Sequence, residues 1–484
     1  MQIAPILHAL GLLLLCLAGA MSLPLLIALV TGGPETYPFL LSILWTGGGG
    51  LLGLLLSRRR AEIGFREGFV IVTAGWILFS ACGALPFYLS GALPAYTDAY
   101  FEAMSGFTTT GATVLLDIEG QPLALHFWRS FMQWLGGMGI IVLSLAVLPM
   151  LGVGGMQLYR AEVPGPVPDR LVPRIRQTAR LLWGIYVLLS AIEVLVLVLV
   201  GMPFMEAVLH TFTTMSTGGF SPKAASIGAY HSVAIDTVLI VFMFLAGANF
   251  ALHFQALRGN IRVYRDTEFR FYGMVVLIAV VGMTLVLWQQ VYPDLSSALR
   301  YGAFQAVSIV TTTGFVTADY SLWPFFAVFI LLSLMFLGGC AGSTGGAIKH
   351  IRGLLLFKVA YDHLYKLIHP KAVRHVKVGG KVIPREVLEG VHVFVSLYFF
   401  TFFVATASLT LLDMDLVTAI GAVAATLGNV GPGLGMVGPT GSYAAVPPLG
   451  KWILSACMVL GRLEIFTVFV LFTPDLWRSL VWRR

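Results

Sequence analysis

Two lengths of apolar segment alternate along this chain, and that alternation restricts the fold more than any other feature. Ten stretches, at about 5–31, 36–57, 68–92, 126–151, 181–201, 233–255, 272–292, 323–347, 391–412 and 448–472, are long enough to cross a bilayer as a helix, which takes roughly 20 residues. Four more, at about 97–109, 203–214, 295–311 and 415–427, are apolar but too short to cross. Only 11% of residues are charged, against about 25% in soluble domains, so the class is integral membrane protein.

After the first two long stretches the order is long, short, long, four times over. A short helix that enters the membrane and stops must return as irregular backbone. Such backbone is tolerated at membrane depth only where it is buried in protein or lines a water-filled cavity. The expected fold is therefore an all-α integral membrane protein. It comprises two N-terminal helices (residues 1–60) and four helix, pore helix, helix repeats over 61–157, 158–265, 266–385 and 386–484. Of the 30 Lys and Arg, 25 fall in five stretches, 58–66, 160–180, 258–270, 349–385 and 478–484. An excess of basic residues marks cytoplasmic loops. These loops and both termini are thus expected inside, and the short helices enter from outside.

Each short helix ends in a phrase rich in threonine and glycine: FTTTGATV at 107–114, FTTMSTGGF at 212–220, IVTTTGFVT at 309–317 and ATLGNVGPG at 425–433. Aligned on one glycine, the phrases give Thr109-Thr110-Gly111, Ser216-Thr217-Gly218, Thr312-Thr313-Gly314 and Asn429-Val430-Gly431. In the fourth, Gly428 competes with Gly431. The alignment on Gly431 is adopted because the residues before Gly428 match the other phrases less well. Repetition at this period means a unit built to pack against its own copies. A cation crossing hydrocarbon needs a replacement for its water shell, and four loops about one axis supply rings of backbone carbonyls. Glycine reaches the dihedrals that aim successive carbonyls the same way. The partially negative C-terminal ends of the short helices face the turn and favour a cation there.

Four joined units of this kind resemble the Trk/Ktr/HKT superfamily of potassium transporters. The two extra N-terminal helices, the phrase GNVGPGLG and the stretch WLGGMGIIVLSLAVLPMLGVGGMQLYRAEVPGP (134–166) are most similar to its TrkH branch, the membrane subunits of bacterial Trk uptake systems. The resemblance implies pseudo-four-fold symmetry around one pore, with the four triplets as the selectivity filter and potassium as the transported ion. It also implies a homodimer in the bacterial inner membrane, and a cytosolic TrkA-like ring, binding NAD(H) or ATP, that gates the pore. No cofactor is expected in the chain itself.

Two places read as gate elements. In FLGGCAGSTGGAIKHIR (336–352) five glycines, with Ser343 and Thr344, interrupt an otherwise helical span. Glycine inside a helix costs about 1 kcal/mol relative to alanine, so this stretch is expected to be unwound. The resemblance implies that Gly338, Gly339, Gly342, Ser343, Thr344, Gly345 and Gly346 form an intramembrane loop obstructing the pore below the filter. Arg462 lies deep in the last span, and an intramembrane charge by default faces a cavity or a partner. The resemblance implies that it sits under the filter beside that loop.

Other features carry less. Asp98, Glu102, Asp117, Glu119, Asp294, Asp319, Asp413 and Asp415 make the outer side acidic, and such charge concentrates cations. The basic segment 349–385 holds RHVKVGGKVIPR, which reads as a hairpin with a Gly-Gly turn. That segment suits either an anionic lipid surface or a docking ring. Cys16, Cys82, Cys340 and Cys457 stand apart, with no disulfide or zinc spacing. Basic residues scattered between spans, with no recognition motif, argue against nucleic acid. A cation-coupled symporter is the alternative function, although such transporters are built on inverted repeats and these four units share one orientation. An intramembrane hydrolase using Ser343 lacks a base within reach.

Overall fold

The computed structural model describes residues 3–57, 64–146 and 171–478. The basic residues Arg58–Arg60, Arg160, Arg170, Arg483 and Arg484, the end of the fourth expected span (147–151) and most of the 134–166 stretch lie outside these residues.

Two N-terminal helical stretches, Ile3–Thr31 and Thr36–Leu56, pack together through glycines: a Cβ at Gly11 or Gly50 would lie under 3 Å from the other helix's backbone. The four repeats follow. Their outer helices are Arg66–Leu89, Leu171–Leu199, Thr267–Leu287 and Arg385–Thr410. Their short pore helices are Tyr96–Phe107, Phe204–Met215, Leu295–Val310 and Leu416–Leu427, within two residues of the short apolar segments of the sequence. Each returns through its Thr/Gly phrase to an inner helix.

The distribution of polarity is inverted relative to a soluble protein. Phe325 is 95% exposed, and leucines such as Leu51, Leu52, Leu55 and Leu56 face outward. Thr108–Thr110, Thr213, Thr214, Thr217, Thr311–Thr313 and Thr426 of the phrases are buried, as are Glu102, Arg129, Gln133 and Arg462. A surface of leucine and phenylalanine around a polar centre is stable in hydrocarbon, where the outward side chains cost nothing to expose and the polar groups find partners inside.

The inner helices differ among themselves. The first, Leu123–Ala146, is unbroken over its described length. The sequence predicts continuous spans at 233–255 and 448–472, and the structure corrects both. Val233–Ala246 and Phe250–Leu257 meet at 101°, and Pro448–Arg462 and Phe466–Phe472 at 110°. At the first bend Asn249 leaves the helix and caps the next one, its side chain accepting from the Ala251 N–H at 2.9 Å. At the second, Glu464 and Ile465 both take left-handed dihedrals, φ 56 and φ 55. For a β-branched residue that conformation is costly and must be held by its surroundings. In the third inner helix the helical part is Phe325–Met335, and helix resumes only at His350. Beyond that break, Lys377–Val378 pairs antiparallel with Lys381–Val382 around Gly379 and Gly380, the hairpin expected from the sequence.

Candidate functional site: a ring of backbone carbonyls and the loop beneath it

The four phrases adopt one backbone conformation. Thr109, Thr217, Thr312 and Asn429 are left-handed, with φ between 52 and 61. Two residues later Gly111, Gly219, Gly314 and Gly431 are left-handed again, at φ 84, 75, 81 and 102. The residue between them turns its N–H back into its own pore helix. Thr110 donates to the Ser105 carbonyl, Gly218 to Thr213, Thr313 to Ser308 and Val430 to Ala425, at 2.7–2.9 Å. With the N–H committed to the helix end, the carbonyl of that residue points the other way.

These carbonyls close a ring. A Cβ built on Gly111 would lie 2.2 Å from the Gly218 oxygen. One on Gly219 would lie 1.9 Å from the Thr313 oxygen, one on Gly314 2.0 Å from the Val430 oxygen, and one on Gly431 2.6 Å from the Thr110 oxygen. Each repeat thus presses on the next, and the fourth returns to the first. All four glycines also line one cavity of about 210 Å³. Glycine is required here on two counts, its left-handed φ and the oxygen standing where a side chain would be.

The conformation corrects the register of the second phrase. The sequence alignment sets Gly218 against Gly111 and Gly314, but Gly219 holds that position, so the second triplet is Thr217-Gly218-Gly219. Ser216 is the helix cap, equivalent to Thr108, Thr311 and Gly428. Gly428 therefore ends a helix, and Gly431 is the ring glycine of the fourth phrase.

Side chains brace the ring from behind. Thr108 and Thr110 share a hydroxyl hydrogen bond of 2.8 Å, repeated by Thr311 and Thr313. Asn429 Nδ2 donates to Thr110 Oγ1 and to the Met458 carbonyl, both at 3.0 Å. Tyr443 donates to the Gly431 carbonyl at 2.8 Å and Tyr320 to Gly433 at 2.9 Å. Arg129, 2% exposed, reaches Glu102 at 2.8 Å, the Ser221 carbonyl at 3.2 Å and Thr113 Oγ1 at 3.2 Å, so one guanidinium ties the first and second phrases together. The signal in the sequence for Arg129 is the one that singles out Arg462: it is one of the few basic residues outside the five basic clusters.

The outer acidic residues are mostly committed locally. Glu102 pairs with Arg129 and Asp98 with Lys451, while Asp294 and Asp415 cap pore helices. The cavity above the ring is lined by Arg129 and Lys223 and by no carboxylate among the described residues. The negative potential at the ring therefore comes from carbonyls and helix ends rather than from carboxylates.

Residues 336–349 form an irregular loop directly below. Its neck is closed by Gly338 N–H to Ile348 O at 3.0 Å and Ile348 N–H to Phe336 O at 3.2 Å. Its tip is wedged under the pore-helix ends. A Cβ on Gly346 would lie 2.5 Å from the Gly428 oxygen, and one on Gly338 1.8 Å from the Gly346 oxygen. Gly346 N–H donates to Thr312 Oγ1 at 2.8 Å, and Thr344 Oγ1 donates to the Met215 carbonyl at 3.0 Å. Arg462 donates to the Thr344 carbonyl at 2.6 Å and to Gly136 of the first inner helix at 3.2 Å. Lys349 donates to the Gly345 carbonyl, and Glu464 pairs with Arg352 rather than with Arg462. Glu268 accepts from Ala341 N–H at 2.7 Å and Ile351 N–H at 3.0 Å, tying the loop to the start of the helix that follows it. Ser343 spends its hydroxyl on the Cys340 carbonyl at 2.7 Å, and Gly339 packs against the Gly247 carbonyl at the bend of the second inner helix. Gly342, at φ 79, makes the turn.

The TrkH family model, described as a cation transport protein, matches residues 43–479. The chain is 45% identical to the Trk system potassium uptake protein TrkH of Salmonella typhimurium, over 99% of this chain and 100% of that one. It is 36% identical to the Trk system potassium uptake protein TrkG of Escherichia coli, over 98% of each. The crystal structure of the potassium transporter TrkH from Vibrio parahaemolyticus matches with a TM-score of 0.91 at 39% identity, covering 99% of this chain and 100% of that one.

Proposed function

The chain belongs to the TrkH family of cation transport proteins, and from that membership we propose that it carries potassium into a bacterial cell through a channel-like pore. The observation that carries this reading is the closed ring of carbonyls contributed by Thr110, Gly218, Thr313 and Val430 against the four ring glycines. The substrate is a bare monovalent cation, because carbonyl oxygens replace its water without supplying a countercharge. Potassium follows from the relatives, which are named as potassium uptake proteins. The ion moves down its electrochemical gradient. An inside-negative membrane supplies about 2.3 kcal/mol per charge per 100 mV.

The loop 336–349 is the gate, and Arg462 holds it closed. A fixed positive charge under the ring raises the barrier for a cation, and its hydrogen bond to Thr344 keeps the tip in the path. A cytosolic TrkA-like nucleotide-binding ring opens it, docking on the basic segment around the Gly379-Gly380 hairpin. The protein acts as a homodimer in the inner membrane with both termini in the cytoplasm.

Rubidium and potassium flux into proteoliposomes tests the reading, with sodium and lithium as competitors. Flux driven by an imposed potential alone, and favouring potassium and rubidium, is the expected result. Movement only when a proton or sodium gradient is also present overturns the channel-like mechanism in favour of a symporter.

A further inference from the structure

The second filter phrase differs from its three counterparts in a way that its backbone conformation does not explain. Where the others carry Thr110, Thr313 and Val430, it carries Gly218. Gly218 is not among the residues with positive φ, so glycine is not needed there for its dihedrals. The reason is a neighbour. A Cβ on Gly218 would lie 2.4 Å from Cδ of Gln133, a residue of the first inner helix that is 0% exposed. Gln133 Nε2 donates to the Gly218 carbonyl at 2.7 Å, and its Oε1 accepts from the Phe220 N–H at 3.1 Å. A donor facing a carbonyl and an acceptor facing an N–H fix which way the amide points, so the assignment of its oxygen and nitrogen is not free.

The consequence falls on the ring. Among the described hydrogen bonds the carbonyls of Thr110, Thr313 and Val430 accept none, whereas that of Gly218 is already held by an amide. Its oxygen is fixed in place, and part of its negative potential is spent on the donor. Selectivity among monovalent cations depends on the number, field strength and mobility of the coordinating carbonyls. One stiffened and weakened ligand in four changes the last two of these.

We propose that Gln133 is a positioning residue that fixes the Gly218 carbonyl in the ring and thereby sets how strictly the pore discriminates among monovalent cations. This rests on the filter reading of the previous subsection. The glycine at 218 and the glutamine at 133 form one device: the first makes room, the second takes the carbonyl.

Two variants of the full-length protein test it, each read as rubidium flux against sodium and lithium flux in proteoliposomes. Gln133→Met keeps the volume and removes both hydrogen bonds. Rubidium over sodium discrimination is expected to fall by about tenfold at every pH, the equivalent of about 1.4 kcal/mol. Gln133→Glu keeps the shape. Neutral, the acid retains a donor and an acceptor; ionised, it accepts only and faces the Gly218 oxygen with like polarity. Its discrimination is expected to match wild type at low pH and to drop as pH rises, with wild type flat over the same range. A residue that merely filled space would give no such pH dependence, and Gln133→Glu decides the matter even where Gln133→Met fails to fold. Wild-type discrimination retained by Gln133→Glu at all pH values, with potassium and rubidium flowing normally, overturns the role of Gln133 and leaves the pore reading intact. Absence of potassium and rubidium flux through wild type overturns both.

Discussion

Arg462 Nη1 lies 2.6 Å from the carbonyl oxygen of Thr344, at the tip of the loop that occupies the space under the ring. The same guanidinium reaches the Gly136 carbonyl, 3.2 Å away on the first inner helix. It therefore links the fourth repeat to the third and to the first. Arg462 is also the last residue of its helix before the 110° bend, where the helix end favours a positive charge.

Replacing Arg462 tests the latch. Arg462→Ala removes both the charge and the hydrogen bond to Thr344, and basal rubidium flux without any cytosolic subunit is expected to rise at least several-fold. Arg462→Lys keeps the charge but loses the fork that reaches two carbonyls at once, so an intermediate flux is expected. Equal initial rates for wild type and Arg462→Ala would remove the arginine from the gate.

The ring glycines make a second prediction, with an internal control. Gly314 (φ 81) would place an alanine Cβ 2.0 Å from the Val430 oxygen, whereas Gly91 (φ 78) has open space around it. Both substitutions carry the left-handed penalty of about 1–2 kcal/mol. Only Gly314→Ala displaces a ring oxygen. Gly91→Ala is expected to lower thermal stability in detergent slightly and keep its flux. Gly314→Ala is expected to lose more than nine-tenths of potassium flux while still eluting as a folded species.

The buried Glu102–Arg129 pair makes a third. Arg129→Met leaves a carboxylate that is 0% exposed without its countercharge, and breaking such a pair costs about 3–5 kcal/mol. Adding Glu102→Gln removes the orphaned charge and is expected to recover a large part of that loss. A double-mutant cycle on the detergent unfolding midpoint measures the coupling. Additive losses would show that the two side chains act independently.

A fourth concerns acid. The Ser296 hydroxyl, with Ser297, holds the Asp294 carboxyl down at about 2. A depressed value means that this cap stabilises its pore helix above the unfolded pKa of about 3.9 and loses that contribution as pH falls towards the folded value. It stays ionised throughout the physiological range. The flux–pH profiles of Asp294→Asn and wild type are accordingly expected to have the same shape between about pH 5 and pH 8. A profile that changes shape in that window would place a titration at Asp294 that this geometry does not provide.

Much of the fold is written along the chain because its cause is local. Hydropathy sets which segments cross and which are too short, and the four pore helices lie within two residues of where composition places them. The glycine run at 338–346 breaks its helix for the same reason, a backbone cost paid residue by residue. The Gly-Gly hairpin at 379–380 is equally local. What the tertiary structure decided depends on groups far apart in sequence. The register of the second phrase is not fixed by the sequence, because two adjacent glycines compete for one role. Only the left-handed φ of Gly219 and the contact of Gly218 with Gln133, 85 residues away, separate them. The bends at Gly247–Asn249 and Leu463–Ile465 occur in segments that together are long and apolar enough to cross as one span, and Gly339 and Arg352 of the third repeat pack against them. Arg129 meets Glu102 only once the first pore helix packs against its own inner helix, and Arg462 meets Thr344 only once the fourth repeat has closed against the third. Spans are fixed by the solvent each residue meets, whereas the ring is fixed by which oxygen stands where a side chain would otherwise be.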